Sequence, residues 1–113
     1  MKISRRRTEK TAILDLEGKI DLQTSPEFRK VLLETLQFEP LVMVNLQHVE
    51  YIDSSGIASL VEGYRESTNL QKRILLYGLG PMVRNVLELT HLTKVFEIYE
   101  TEEQAEQAAS LKR

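Results

Sequence analysis

The acid and hydroxyls best placed for chemistry stand together in "YIDSSGIASLVEGY": Asp53, Ser54 and Ser55, followed by Gly56. Two chemistries fit them. Asp and Ser are preferred helix N-caps, because their side-chain oxygens accept bonds from the first free helix N–H groups. A serine hydroxyl held at a helix start is also a candidate phosphoryl acceptor. Capping needs a single such residue, and here three are adjacent. Gly56 adds flexibility that capping does not need, and a small residue there would let another protein's active site approach the backbone. A phosphoryl group on Ser55 would bring roughly −1.5 to −2 charges. The helix N-terminus should tolerate it, since free N–H groups and the helix dipole favour anions. Asp21 and Asp53 are the acids expected beside it, where they would repel the phosphate. Modification would then change a surface by electrostatics and leave the fold intact.

Other chemistries are poorly provided for. A Ser–His–acid triad needs one of the two histidines, His48 or His91, beside a serine. A nucleophile elbow needs Gly-x-Ser-x-Gly, but Ile52 and Asp53 stand two residues before Ser54 and Ser55. His48 is expected at the surface or a strand end. His91 is expected just past a helix, in a left-handed conformation. No histidine pair has metal-ligand spacing, and Asp15 and Glu17 fall on one strand face, read as solvated. "YGLGPMV" lacks both the full Gly-x-Gly-x-x-Gly pattern and a P-loop lysine. Neither enzymatic activity nor a cofactor or metal is expected.

The elements that hold these residues follow from composition and periodicity. The chain has 113 residues, no cysteine, and 15 basic against 17 acidic side chains, for a net charge of −2. One domain over residues 1–113 is expected, without disulfides or thiolate metal sites. The charge balance leaves no footprint for direct nucleic-acid binding. No apolar run approaches the roughly 20 residues that span a bilayer, and no signal-peptide core follows "MKISRRRTEK". A cytoplasmic location is the expectation. "SRRR" reads as a solvated face on an edge strand, where charge discourages edge-to-edge pairing.

"TAILDLEGKIDL" alternates as a strand, interrupted at Gly18 by a turn or bulge. In "TSPEFRKVLLETLQFEP", Ser25 is the expected N-cap, Pro26 suits the first helical position, and Phe28, Val31, Leu32 and Leu36 make an apolar stripe. "LVMVNL" is apolar throughout, like a strand covered on both faces. The next helix should bury Ile57, Leu60, Val61 and Tyr64, with Gly63 as a possible close contact. "RILLYGL" is a strand, and a helix from Pro81 should bury Met82, Val83, Val86 and Leu87. "KVFEIYE" is a short strand, and a last helix is capped by Thr101, with Ala105, Ala108 and Ala109 inward. Strands alternating with helices imply parallel pairing and right-handed crossovers. The expected fold is α/β: a small mixed sheet of four to five strands, with about four helices mainly on one side.

"VMVNLQHVEYIDSSGIASLV", together with "GKIDLQTSPEFRKVL" and "GPMVRNVLELTHLTKVFEIYETEEQA", resembles STAS domains, in particular bacterial anti-sigma factor antagonists. The resemblance covers nearly the whole chain. It implies a non-enzymatic partner-switch protein. Unmodified, such a protein binds an anti-sigma factor that is also a serine kinase, and so frees a sigma factor. Phosphorylation of the second serine of the motif, here Ser55, turns binding off, and a metal-dependent serine phosphatase restores it. Asp21, Asp53, Ser54, Gly56 and Ile57 match the acceptor and partner-binding loop. Asn45 stands where many members carry aspartate, Ala58 and His91 where many carry glycine. The alternative within the family is a non-switching subunit of a larger complex, such as a stressosome-like assembly or a cytoplasmic accessory of a lipid transporter.

Overall fold

The run Leu41–Leu46 is buried at every position, which a strand achieves only with neighbours on both edges and cover on both faces. In the computed structural model, which describes residues 1–9 and 11–111, it opens the central strand. The elements in order are β1 (Lys2–Arg7), β2 (Ala12–Ile20), α1 (Ser25–Phe38), β3 (Leu41–Ile52), α2 (Ser54–Asn69), β4 (Arg73–Tyr77), α3 (Pro81–Leu89), β5 (Glu97–Tyr99) and α4 (Glu102–Ala109). A short 3₁₀ turn, Leu92–Lys94, joins α3 to β5.

The sheet has five strands in the order β1-β2-β3-β4-β5. β1 runs antiparallel to β2, and the other pairs are parallel. β4 pairs only with Leu41–Asn45 of β3. Beyond that point β3 has β2 alone beside it, and its burial becomes periodic: Gln47 and His48 are exposed, Val49 and Ile52 buried. Gly18 takes φ +101 at a register shift in β2, so the expected interruption is a bulge within one continuous strand.

Helices α1, α2 and α3 cover one face. Phe28, Leu32 and Leu36 of α1, Leu60 of α2, and Val83 and Leu87 of α3 pack on Leu14, Leu16, Val42, Val44 and Leu76. Each such side chain contributes about 1.5–3 kcal/mol through burial. On the other face α4 lies over Ile13, Leu41, Met43, Leu75 and Tyr77, with Ala105 its buried residue. The helices are therefore mainly on one side, as expected.

Some helix faces differ from the expected stripes. The buried face of α2 is Gly56, Ser59, Leu60, Gly63 and Ser67. Tyr64 stays 38% exposed and meets the edge of Phe96, with ring centroids 5.4 Å apart. Small residues line α2 because α1 lies close against it: a Cβ on Gly63 would collide with the Leu32 side chain. Met82 is likewise exposed, while Val83 and Leu87 carry the burial of α3. Lys94 belongs to the 3₁₀ turn, which leaves β5 three residues long. His91 is left-handed at φ 61, and His48 is exposed.

Candidate functional site

The pole at the carboxyl ends of β2 and β3 carries the candidate residues. There the Asp53 N–H donates to the Ile20 carbonyl (3.1 Å), so the β2–α1 loop and the start of α2 are one structure. Asp53 is the N-cap of α2. Its Oδ1 accepts from the N–H groups of Ser55 (2.9 Å) and Gly56 (3.2 Å), and its carbonyl accepts from Ile57 (3.0 Å). The acid alone therefore does the capping, and neither serine side chain takes part.

Ser54 and Ser55 are the first residues of α2. Ser54 is exposed and Ser55 half-buried. Among the described residues no hydrogen bond engages either hydroxyl. Ser55 lines an open groove of about 360 Å³ between the first turns of α1 and α2, with Ser25, Pro26, Arg29, Ala58, Ser59 and Glu62. The groove floor is tied by Ser59 Oγ, which lies 3.3 Å from the Ser25 carbonyl and 3.2 Å from that of Ser55. Across it Arg29 Nε pairs with Glu62 Oε2.

Gly56 is buried, not presented outward. A Cβ there would lie 2.6 Å from Ile52 Cγ1, 2.8 Å from Ile20 Cγ2 and 2.9 Å from the Ile20 carbonyl oxygen. Its smallness lets the first turn of α2 sit down on the ends of β2 and β3. Ile57 is partly buried against the same core.

Asp21 sits in the adjoining loop with its carboxylate turned onto its own turn, accepting from the N–H groups of Gln23 (3.0 Å) and Thr24 (3.1 Å). Desolvation works against ionisation, but bonds from Thr24 and Gln23, with Lys19 nearby, outweigh it and lower the Asp21 pKa. Thr24, not Ser25, occupies the N-cap of α1, and its side chain makes no cap bond. Ser25 is the first helical residue. Asp21 has taken over the turn, so the helix start needs no serine cap.

A second polar cluster, unforeseen from the sequence, lies under α4. Arg6 Nη2 donates to Asp15 Oδ1 (2.9 Å) and Glu102 Oε1 (2.7 Å). The Tyr77 hydroxyl donates to Glu102 (2.8 Å) and Asn45 Nδ2 to Asp15 (2.8 Å). Arg6 lowers the Asp15 pKa against desolvation, with help from Asn45. Arg6 and then Tyr77 lower that of Glu102. Burial, reinforced by Glu102, raises that of Tyr77. Asp15 is thus not on a freely solvated face. As an amide, Asn45 donates to Asp15 and spares it a neighbouring carboxylate. Nor is the arginine run simply a solvated edge. Arg5 and Arg7 reach Glu34 and Glu39 on and beside α1, while Arg6 reaches the opposite face. Residue pairs more than 90 apart in sequence leave no local pattern that reveals them.

No group of three or more His, Asp or Glu among the described residues is arranged to hold a metal ion. No helix among them is long and apolar enough to cross a membrane.

A five-stranded mixed sheet with an acid-capped helix start bearing two free hydroxyls defines the class, and the STAS domain model matches residues 2–105. The chain belongs to the STAS domain family. Among curated relatives, the anti-sigma-B factor antagonist of Listeria monocytogenes serovar 1/2a is 28% identical over 79 residues, which is 69% of each chain. That of Staphylococcus aureus strain NCTC 8325 is 29% identical over 76 residues, 66% of this chain and 70% of that one. Among solved structures, a putative anti-sigma factor antagonist from Thermotoga maritima superposes with a TM-score of 0.91 at 21% identity, covering 96% of this chain and 95% of that one. The similar relatives are thus anti-sigma factor antagonists, and the structural likeness is one of fold.

Proposed function

We propose that this chain is an anti-sigma factor antagonist in a partner-switching pathway, acting as a single STAS domain in the cytoplasm. Unmodified, it binds an anti-sigma factor serine kinase and so releases a sigma factor. Phosphorylation of Ser55 turns that binding off. The Ser55 hydroxyl attacks the γ-phosphorus of ATP held by the kinase: the Oγ–P bond forms, the bond to ADP breaks, and the hydroxyl proton passes to a kinase base. A metal-dependent serine phosphatase hydrolyses the phosphoserine and resets the switch. Ser54, Asp53, Asp21, Gly56 and Ile57 shape the surface that the partner reads.

The observation that carries this reading is the division of labour at the helix start. Asp53 already caps α2, so the unbonded Ser55 hydroxyl beside an open groove is left available for chemistry. The names of the relatives support the pathway assignment.

The test is binding of the purified chain to the serine kinase of its own organism. Ser55→Ala should bind as the unmodified protein does, and Ser55→Asp poorly. Incubation with kinase and ATP should add one phosphoryl group that maps to Ser55. Equal binding by both variants would exclude charge at Ser55 as the switch and favour a constitutive subunit of a larger complex.

A further inference from the structure

Phosphate at a helix start ordinarily rests on free backbone N–H groups. Here most of that resource is already used. The N–H groups of Ser55 and Gly56 are held by Asp53 Oδ1, and that of Ile57 by the Asp53 carbonyl. A phosphoryl group on Ser55 would meet a carboxylate where it would otherwise find donors. Most of its countercharge then has to come from a side chain.

Among the described residues lining the groove with Ser55, Arg29 is the cation. Arg29 is exposed on α1 and paired with Glu62. Ser55 and Glu62 are seven residues apart on α2, so they share a helix face about 10 Å apart along its axis. Side chains on a helix lean toward its N-terminus, and α1 and α2 both line the groove with their opening turns, so the Arg29 side chain can swing from Glu62 toward the Ser55 end. The pair it leaves is solvent-exposed on both sides, with side-chain exposures of 51% and 43%. Exposed ion pairs hold only about 0–1 kcal/mol. A doubly charged phosphate competes well against one such carboxylate, and guanidinium forks suit phosphate oxygens.

We propose that Arg29 is the built-in counter-ion of the modified state: on phosphorylation of Ser55 its guanidinium moves from Glu62 to the phosphoryl group. The switch then has two parts. The phosphate is fixed against the α1–α2 groove, and Glu62 is released as an unpaired carboxylate two turns further along α2. A partner surface fitted to the neutral groove meets the residual charge of the phosphate and the freed Glu62 carboxylate, where before it met neither. This inference rests on the reading of Ser55 as the acceptor, and it assigns a role to a residue outside the Asp-Ser-Ser-Gly loop.

The test installs phosphoserine at position 55 during translation, so it needs no kinase. The second ionisation of the phosphoserine is followed by phosphorus NMR in the otherwise native chain, in Arg29→Gln and in Lys30→Gln. Lys30 is the neighbouring exposed cation and does not line the groove. Loss of a close cation raises an acid's pKa. The phosphoserine pKa should therefore rise by roughly half a unit or more in Arg29→Gln and stay close to the parent value in Lys30→Gln. An unchanged value in Arg29→Gln, or equal rises in both variants, would overturn the proposal. Failure of the acceptor reading shows separately, as absence of phosphate on Ser55 after incubation of the unmodified chain with kinase and ATP.

Discussion

Gly56→Ala separates two reasons for a small residue at the helix start. If Gly56 were small for a partner's sake, alanine would weaken binding and leave stability alone. The geometry says otherwise. The added methyl would lie 2.6 Å from Ile52 Cγ1, 2.8 Å from Ile20 Cγ2 and 2.9 Å from the Ile20 carbonyl oxygen. Ile20 and Ile52 are fully or almost fully buried, and the carbonyl already accepts the Asp53 N–H. The neighbours cannot all retreat without disturbing that bond. Overpacking of this kind costs about 1–3 kcal/mol, and the better helix propensity of alanine offsets at most about 1 kcal/mol. The expected net loss is about 1–2 kcal/mol, which for a chain of 113 residues lowers Tm by roughly 4–8 °C. Urea unfolding followed by far-UV circular dichroism, with a thermal melt, measures it. A variant as stable as the parent would refute the packing argument and return Gly56 to an outward role.

The other predictions concern the cap, the acceptor and the second cluster. Asp53→Ala should cost about 1 kcal/mol and speed hydrogen exchange at the Ser55 and Gly56 amides that Asp53 holds. Ser55→Ala should change stability by no more than about 0.5 kcal/mol in urea titrations, because its hydroxyl makes no bond among the described residues. Asp15 and Glu102 have pKa values lowered in the folded state, chiefly by Arg6. Their contribution is present above the unfolded carboxylate range and is lost as pH falls through the folded values, below about pH 4. Unfolding measured from pH 7 to pH 3 should therefore show a loss of stability that is smaller in Arg6→Ala. Leu32→Ala should cost about 2–5 kcal/mol in the same assay, since Leu32 is fully buried between α1 and α2.

The sheet, the order of elements and the helix starting at Ser54 were legible because each rests on local chemistry. "LVMVNL" is too apolar for an edge strand, Thr101 caps α4 through the Gln104 N–H, and Gly18 supplies the bulge in β2. The misjudged face of α2 has a packing cause. Large apolar residues were expected inward on α2, but close approach of α1 selects small ones. The signal was present in Gly56, Ser59, Gly63 and Ser67, small residues three or four apart. Ser25 was the expected N-cap, but Asp21 holds the turn and Thr24 takes the cap position. Arg29 with Glu62, and Arg6 with Asp15 and Glu102, are pairings across the fold. Charged residues on amphipathic elements have many possible partners, and only the packing chooses among them.

The clasp between β1 and α4 also bears on when this protein becomes competent during its own synthesis. Arg6 meets Glu102 across 96 positions of sequence, and Thr8 meets Glu106 across 98. Closing so large a loop has to wait for the last helix to leave the ribosome, because chains emerge from the N-terminus onward. The Ser55 pole has no such dependence. It is assembled from β2, α1, β3 and the opening turns of α2, a contiguous stretch translated well before Glu102. The nascent chain thus carries the complete Asp-Ser-Ser-Gly loop while the apolar face that α4 will cover is still open.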